Sequence, residues 1–209
     1  MANIAMWYST VLPKDLIKSF EQDLPVLDQQ LQPSVTRNSN VSKDIRNSKN
    51  CWITTNHWVS GLIWHHVMRA NRENFMYDLY GFDSEVLQYT SYGEGEYYRW
   101  HSDDSLPNLM VPLQCRSTVF SKENAEHLSL MQAQCVRKLS FSLLLSDPSE
   151  FSGGDLQFNN IGQYAESFYA PREMGQVVIF DSRTPHRVTK IKSGVRKSLV
   201  GWVVGPRWR

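Results

Sequence analysis

Apolar and polar positions divide the chain into a mainly helical first part and a strand-rich remainder. Residues 4–12 are apolar and β-prone. Pro13 then opens a helix with Lys14 and Asp15 in its first turn, and Leu16, Ile17, Phe20 and Leu24 form its apolar stripe until Pro25 closes it. Residues 29–40 are polar and read as a loop with short strand pieces. Residues 42–54 read as a strand region with Ile45, Cys51, Trp52 and Ile53 on its buried side. The clearest long helix spans Trp58 to Phe75, where Trp58, Leu62, Val67 and Met68 recur at helical spacing. His65 and His66 are neighbours within it, about 100° apart around the axis, so they are assigned to structure rather than to one metal ion.

After Gly81 the pattern turns to strands. Val86 to Tyr92 is one, and Gly93-Glu94-Gly95 turns the chain into a second that runs through Trp100. Residues 104–136 hold apolar groups without firm periodicity, and form either a substrate lid or a surface insertion. Arg137 to Ser146 alternates: Leu139, Phe141, Leu143 and Leu145 on one face, Lys138, Ser140, Ser142, Leu144 and Ser146 on the other. The second face either lines a cavity or meets water. Turns at Asp147-Pro148 and Gly153-Gly154 lead into a further strand, and Gln176 to Phe180 is short and buried in character. Asp181 to Pro185 turns into His186-Arg187-Val188, and Ser193-Gly194 turns into a final strand over 195–204. Two helices before many short strands predict an α+β chain built on a β-sandwich or jelly roll.

At 209 residues the chain is long enough for one domain with a substantial core. A net charge of +1 gives no electrostatic case for nucleic acid or for an anionic membrane. Three cysteines, Cys51, Cys115 and Cys135, are an odd number without tight metal spacing, which reads as free thiols in a reducing compartment. The first apolar run lacks a basic flank and is interrupted by Lys14 and Asp15, so a signal peptide is not expected, and no run approaches membrane-spanning length. The chain reads as cytoplasmic, with no signal for an oligomeric state.

The chemistry gathers around Trp100-His101-Ser102-Asp103. Alternate strand residues share a face, so His101 and Asp103 present an imidazole and a carboxylate side by side. A second histidine would complete the two-His-one-carboxylate triad of non-haem iron sites. His186, at the start of a strand after a tight turn, is a better candidate than His57, before a helix, or His127, in the irregular segment. An independent clue lies on the last strand, where Arg196 shares a face with Ser198, Val200 and Trp202. An arginine there either meets an anion, which its planar fork suits, or carries its head out to solvent.

His101-x-Asp103, His186 and Arg196 ten positions beyond it together resemble the 2-oxoglutarate- and Fe(II)-dependent oxygenases of the prolyl 4-hydroxylase type. The likeness extends to Tyr92-x-x-Gly95-x-x-Tyr98 before the first ligand, and to Arg137-Lys138-Leu139-Ser140 and Gly153-Gly154-Asp155-Leu156 in the middle strands. It continues through Val178 to Val188 and Gly194 to Trp202, so about residues 85–205 are covered, with Arg46-Asn47-Ser48 a weaker upstream echo.

The resemblance implies a double-stranded β-helix over about 85–205, backed on its larger sheet by helices from about 1–84, in one domain over 1–209. It implies His101, Asp103 and His186 as Fe(II) ligands, and Arg196 with Tyr92 and Ser140 around the far carboxylate of 2-oxoglutarate. Trp202, Tyr98 and Arg99 fall on the substrate side; Tyr97 and Arg99 share the strand face of His101. O2 is the further co-substrate and ascorbate an accessory reductant. The implied reaction hydroxylates a prolyl residue in a peptide or protein while 2-oxoglutarate becomes succinate and CO2. The alternatives are the same chemistry on another side chain or a free small molecule, and a catalytically silent β-helix that only binds. Residues 104–136 depart most from the family pattern.

Overall fold

The computed structural model describes residues 7–34, 44–104, 135–159 and 167–208. Helices α1 (Lys14–Glu21), α2 (Leu24–Gln30) and α3 (Trp58–Ala70) accompany fifteen strands among these residues. In chain order the strands are β1 (Trp7–Val11), β2 (Gln32–Pro33), β3 (Arg46–Asn47), β4 (Lys49–Thr54), β5 (Gly81–Phe82) and β6 (Val86–Tyr92). Next come β7 (Tyr97–His101), β8 (Cys135–Leu144), β9 (Phe151–Gly153), β10 (Leu156–Asn159) and β11 (Ser167–Tyr169). The last four are β12 (Gln176–Asp181), β13 (His186–Val188), β14 (Ile191–Gly194) and β15 (Arg196–Pro206).

Two antiparallel sheets face each other as a double-stranded β-helix. The larger has the order β1-β12-β8-β15-β6-β4-β2, with β5 paired to β15; the smaller runs β11-β10-β13-β7-β3. A short β14–β9 ladder closes one end. Alternation on β8 and β12 sets the layers. Leu139, Phe141, Leu143, Val177 and Ile179 point outward into the main core, where Ile17 and Phe20 of α1 and Val59, Ile63, Val67 and Ala70 of α3 cover them. The opposite face looks between the sheets, and its groups (Lys138, Ser140, Ser142 and Leu144 on β8) are buried as well. The hydroxyl face thus meets the interior and not water. No helix among the described residues is long and apolar enough to cross a membrane.

Several local expectations shift. Pro25 does not close α1; it stands in the first turn of α2. A proline lacks only an N–H that has no partner at a helix start, so the position is tolerated. The buried stripe of α3 is Val59, Ile63, Val67 and Ala70, while Trp58 and Met68 are exposed. The helix is apolar on much of its circumference, and the sheet it covers selects the face. A π-helical turn, Asn71–Phe75, follows α3 and ends on Met76 in the left-handed region. Near β4, Cys51 and Ile53 are buried but Ile45 and Trp52 are exposed; Trp52 and Ile53 point to opposite faces of the strand, and only the face of Cys51 and Ile53 is covered by the core. The irregular segment falls mostly outside the described residues.

Candidate metal centre and anion pocket

Three elements bring the ligand set together. His101 ends β7, Asp103 follows two residues later, and His186 begins β13. β7 and β13 pair antiparallel with His101 directly opposite His186. The His101 Nε2 lies 3.7 Å from Asp103 Oδ1, and the His186 Nε2 3.5 Å from Asp103 Oδ2. Among the described residues these three form the one group of metal-ligating side chains whose donor atoms all lie within 4.8 Å of one another.

Each part is aimed by the backbone. His101 Nδ1 donates to the Arg99 carbonyl at 2.8 Å, and His186 Nδ1 to the Thr184 carbonyl at 3.0 Å. A carbonyl only accepts, so both rings carry a proton on Nδ1, which leaves the inward-facing Nε2 as the atom that can offer a lone pair to a cation. The Asp103 and Asp104 amides donate to the Ser182 carbonyl at 2.8 and 3.1 Å. Ser140 Oγ donates to Asp103 Oδ2 at 2.7 Å and shares a hydrogen bond with Ser182 Oγ at 2.9 Å. Two neutral imidazoles and a carboxylate, converging from fixed rings, suit Fe(II) and leave part of the coordination sphere for other ligands.

Electrostatics agree with that state. Burial pushes the His101 imidazole down to about 4, and the facing His186 pushes the same way. Burial alone would raise the Asp103 carboxyl, but His186, His101, Arg137 and the Ser140 hydroxyl outweigh it and hold it below the ordinary range. A neutral His101 imidazole and an ionised Asp103 carboxylate, the forms that a divalent cation needs, are therefore favoured.

Arg196 opens β15, paired across the ladder with Tyr92 on β6, and its guanidinium carbon lies 5.8 Å from the Tyr92 ring. The residue is 4 % exposed. Its Nη1 donates to Ser198 Oγ at 2.9 Å, and among the described residues no carboxylate lies within 4.0 Å of it. Burial depresses its basicity. Arg196 lines a pocket between the sheets with Ser142, Leu144, Gly154, Arg172 and Val178. Gly154 has φ +67°, and a Cβ there would stand 2.2 Å from Ile191 Cδ1 and 3.1 Å from Arg196 Cδ. Only glycine lets the backbone turn that tightly against the arginine stem. Asp155 also lines this pocket, but its carboxylate pairs with Arg172 at 3.1 Å, so the buried Arg196 guanidinium has the fork geometry and the uncompensated charge that suit a carboxylate.

Other expected site residues fall differently. The Ser140 hydroxyl is engaged by Asp103 and Ser182, and Ser142 is the serine of β8 that lines the pocket beside Arg196. Pairing between β13 and β7 shifts register, with Val188 opposite Tyr98, so the faces of β7 do not simply alternate. As a result Tyr98, not Tyr97 or Arg99, stacks on His101, with ring centroids 3.6 Å apart; Arg99 is exposed. Trp202 pairs across the ladder with Ser140, and stands 6.4 Å from the Trp52 ring with the Arg137 guanidinium 4.0 Å over its own ring. Trp52 is expected among the buried residues of its strand and Arg137 only as part of a family-like run, and neither carries a sign in the sequence that it would meet Trp202.

Residues 87–204 match the family model of the 2OG-Fe(II) oxygenase superfamily. The chain belongs to that superfamily. The chemistry of the family is built on Fe(II), 2-oxoglutarate and O2. A PKHD-type hydroxylase of Prochlorococcus marinus is 33 % identical over 108 residues, 49 % of this chain and 48 % of that protein. The chain therefore spans about half the length, or less, of the curated relatives it matches. Among solved structures, a prolyl-4-hydroxylase of Pseudomonas putida superposes with TM-score 0.68 at 20 % identity, over 98 % of this chain and 94 % of that one. A prolyl hydroxylase of Trichoplax adhaerens, solved with a peptide fragment of the hypoxia inducible factor oxygen degradation domain, superposes with TM-score 0.70 at 15 % identity, over 96 % and 84 %. At these identities the structures establish the double-stranded β-helix fold.

Proposed function

We propose that the chain is a 2-oxoglutarate-dependent dioxygenase that hydroxylates a prolyl residue in a peptide or protein. His101, Asp103 and His186 would hold Fe(II), and Arg196 the far carboxylate of 2-oxoglutarate, with Tyr92 beside it. When bound, the iron and its co-substrate supply O2 activation coupled to oxidative decarboxylation, which ends in succinate, CO2 and a hydroxylated substrate. The observation that carries the reading is Arg196: a module that only held metal would not bury a guanidinium with no carboxylate against it.

The chain's own groups have definite tasks. The carbonyls of Arg99 and Thr184 fix the two rings, and Ser140 with the Ser182 carbonyl fixes Asp103. Arg196 and Ser198 orient a dicarboxylate by its remote end, so that its other end points along the interior face toward the ligands. Tyr98 covers one face of His101 and excludes water from it. Support for a prolyl substrate comes from the tilted indole pair of Trp202 and Trp52, aromatic surface that a pyrrolidine ring can pack on, and from the peptide held by the Trichoplax relative in fold.

The test has two stages. Purified protein with Fe(II) and 2-oxoglutarate should form succinate, and His101→Ala should abolish it. A library of proline-containing peptides should then yield a product heavier by one oxygen. Absence of succinate under all conditions defeats the enzyme reading. Succinate without any modified peptide, but with a modified small molecule or another side chain, defeats the prolyl assignment alone.

A further inference from the structure

We propose that Trp208, beyond the end of the last strand, is a positioning residue for the metal centre, acting through the turn that follows β12. This inference rests on the metal-site reading above. The turn Asp181–Pro185 serves the ligand set in two ways. It delivers His186 directly, and its Ser182 carbonyl and hydroxyl hold Asp103, the latter through Ser140.

The turn has its own anchor on the side away from the ligands. Arg183 chelates Asp181, with Nε 2.9 Å from Oδ1 and Nη2 2.6 Å from Oδ2, and its amide donates to Oδ1 at 2.8 Å. Tyr77 donates its phenol to Asp181 Oδ2 at 2.6 Å. The Ser182 amide donates to the Lys138 carbonyl at 3.0 Å. Trp208 then joins the members from outside. The Arg183 guanidinium carbon is 3.7 Å from the centre of its ring, the Lys138 ammonium 3.4 Å, and the Tyr77 ring meets it edge-on at 4.9 Å. Its indole N–H is buried with no acceptor among the described residues, so the ring is held through its faces and not through its polar atom.

Two cations meet on one indole, and the ring adds to what the carboxylate of Asp181 supplies. Lys138 is 4 % exposed, and no carboxylate lies within 4.0 Å of it among the described residues. Burial and the nearby Arg183 both lower its affinity for a proton, and the more distant carboxylates of Asp181 and Asp78 only partly offset them. The electron-rich faces of the indole attract both cations and so offset their mutual repulsion. Without Trp208 that repulsion acts directly on Arg183, and through its chelate on the turn. The hydrogen bonds from the turn to Asp103 and the ring placement of His186 would then loosen together. Disturbing groups that orient metal ligands typically costs about 10- to 100-fold in affinity.

The experiment titrates the full chain with Mn(II) alone, following free Mn(II) by electron paramagnetic resonance, beside thermal melts of the metal-free proteins. Trp208→Ala is expected to weaken Mn(II) binding by about tenfold or more, and Trp208→Phe, which keeps an aromatic face, by less than about threefold. Arg183→Gln should match Trp208→Ala and provides the reading if the latter is not recovered folded. His57→Ala, which removes the cap of α3 on the far side of the larger sheet, should lower the melting temperature and leave Mn(II) affinity unchanged. Equal affinity in wild type and the alanine variant overturns the proposal. So does equal loss in the alanine and phenylalanine variants, or equal loss in His57→Ala. A wild-type protein that binds no Mn(II) defeats the metal-site reading, and the coupling with it.

Discussion

Replacing Arg196 with methionine should move stability and co-substrate use in opposite directions. Methionine fills the space of the arginine stem without its charged head, so the walls around the stem stay in place. Among the described residues Arg196 is a buried cation whose side-chain hydrogen-bond partner is a neutral hydroxyl, Ser198 Oγ at 2.9 Å. Losing that hydrogen bond costs about 1–2 kcal/mol. Removing a buried charge that lacks a counter-ion returns several kcal/mol, even after relaxation. The net is a stabilisation of about 1–2 kcal/mol, or a melting temperature higher by roughly 2–8 °C in a chain of this size. For 2-oxoglutarate the sign reverses. Truncating one partner of a buried charge pair costs about 2–5 kcal/mol, so affinity should fall roughly 30-fold to several thousand-fold. In wild type, 2-oxoglutarate at about 100 times its dissociation constant should add ~2.7 kcal/mol of stability, a further rise of about 5–10 °C. Thermal melts with and without 2-oxoglutarate and Mn(II), together with succinate formation, measure all three effects. A variant that melts several degrees lower, yet responds to 2-oxoglutarate like wild type, would refute the assignment of Arg196 as a receptor and make it a structural arginine.

Further consequences are equally concrete. Asp103→Ala and His186→Ala should each abolish saturable Mn(II) binding in the micromolar range, because each removes a ligand and leaves two; calorimetric titration checks this. Gly154→Ala should destabilise by about 2–4 kcal/mol in urea unfolding, since its new methyl meets Ile191 and the Arg196 stem at a positive φ; stability within 0.5 kcal/mol of wild type, to use about the resolution of such data, contradicts the packing argument. For Asp181, burial raises the carboxyl, but the bonds from Arg183 and Tyr77 win and hold it below the ordinary carboxylate range. A depressed folded value means stability that is present above about pH 4 and lost as pH falls through the folded value. Asp181→Asn should therefore melt below wild type at pH 7, with the gap closing below about pH 4; a gap that persists into stronger acid would exclude the ionised carboxylate as its source.

Much of the site was legible because its parts are local signatures. His101-x-Asp103 needs only a strand end, His186 only a turn before a strand, and Arg196 stands out as a charge on an apolar face. The double alternation on Arg137 to Ser146 also carried real information, since a strand covered on both sides must bury both faces. What could not be read locally depends on partners distant in the chain. Ser140 goes to Asp103 because β8 crosses beneath the segment after β7, which puts the two residues within hydrogen-bonding distance. Tyr98 reaches His101 because the β7–β13 ladder shifts register, and a register shift reverses which side chains share a face. Trp52 and Arg137 join Trp202 from separate strands of the larger sheet.

The sequence by itself determined the class of the fold, the identity of the candidate ligands and the placing of an arginine on a mostly apolar strand face, because each is a matter of residue type and short periodicity. Tertiary structure alone decided which face of α3 is buried, which serine meets which anion, and how Trp208 comes to stand behind the turn that carries His186. Those choices are set by which strands lie side by side and in what register, and that is a property of the whole chain folded at once.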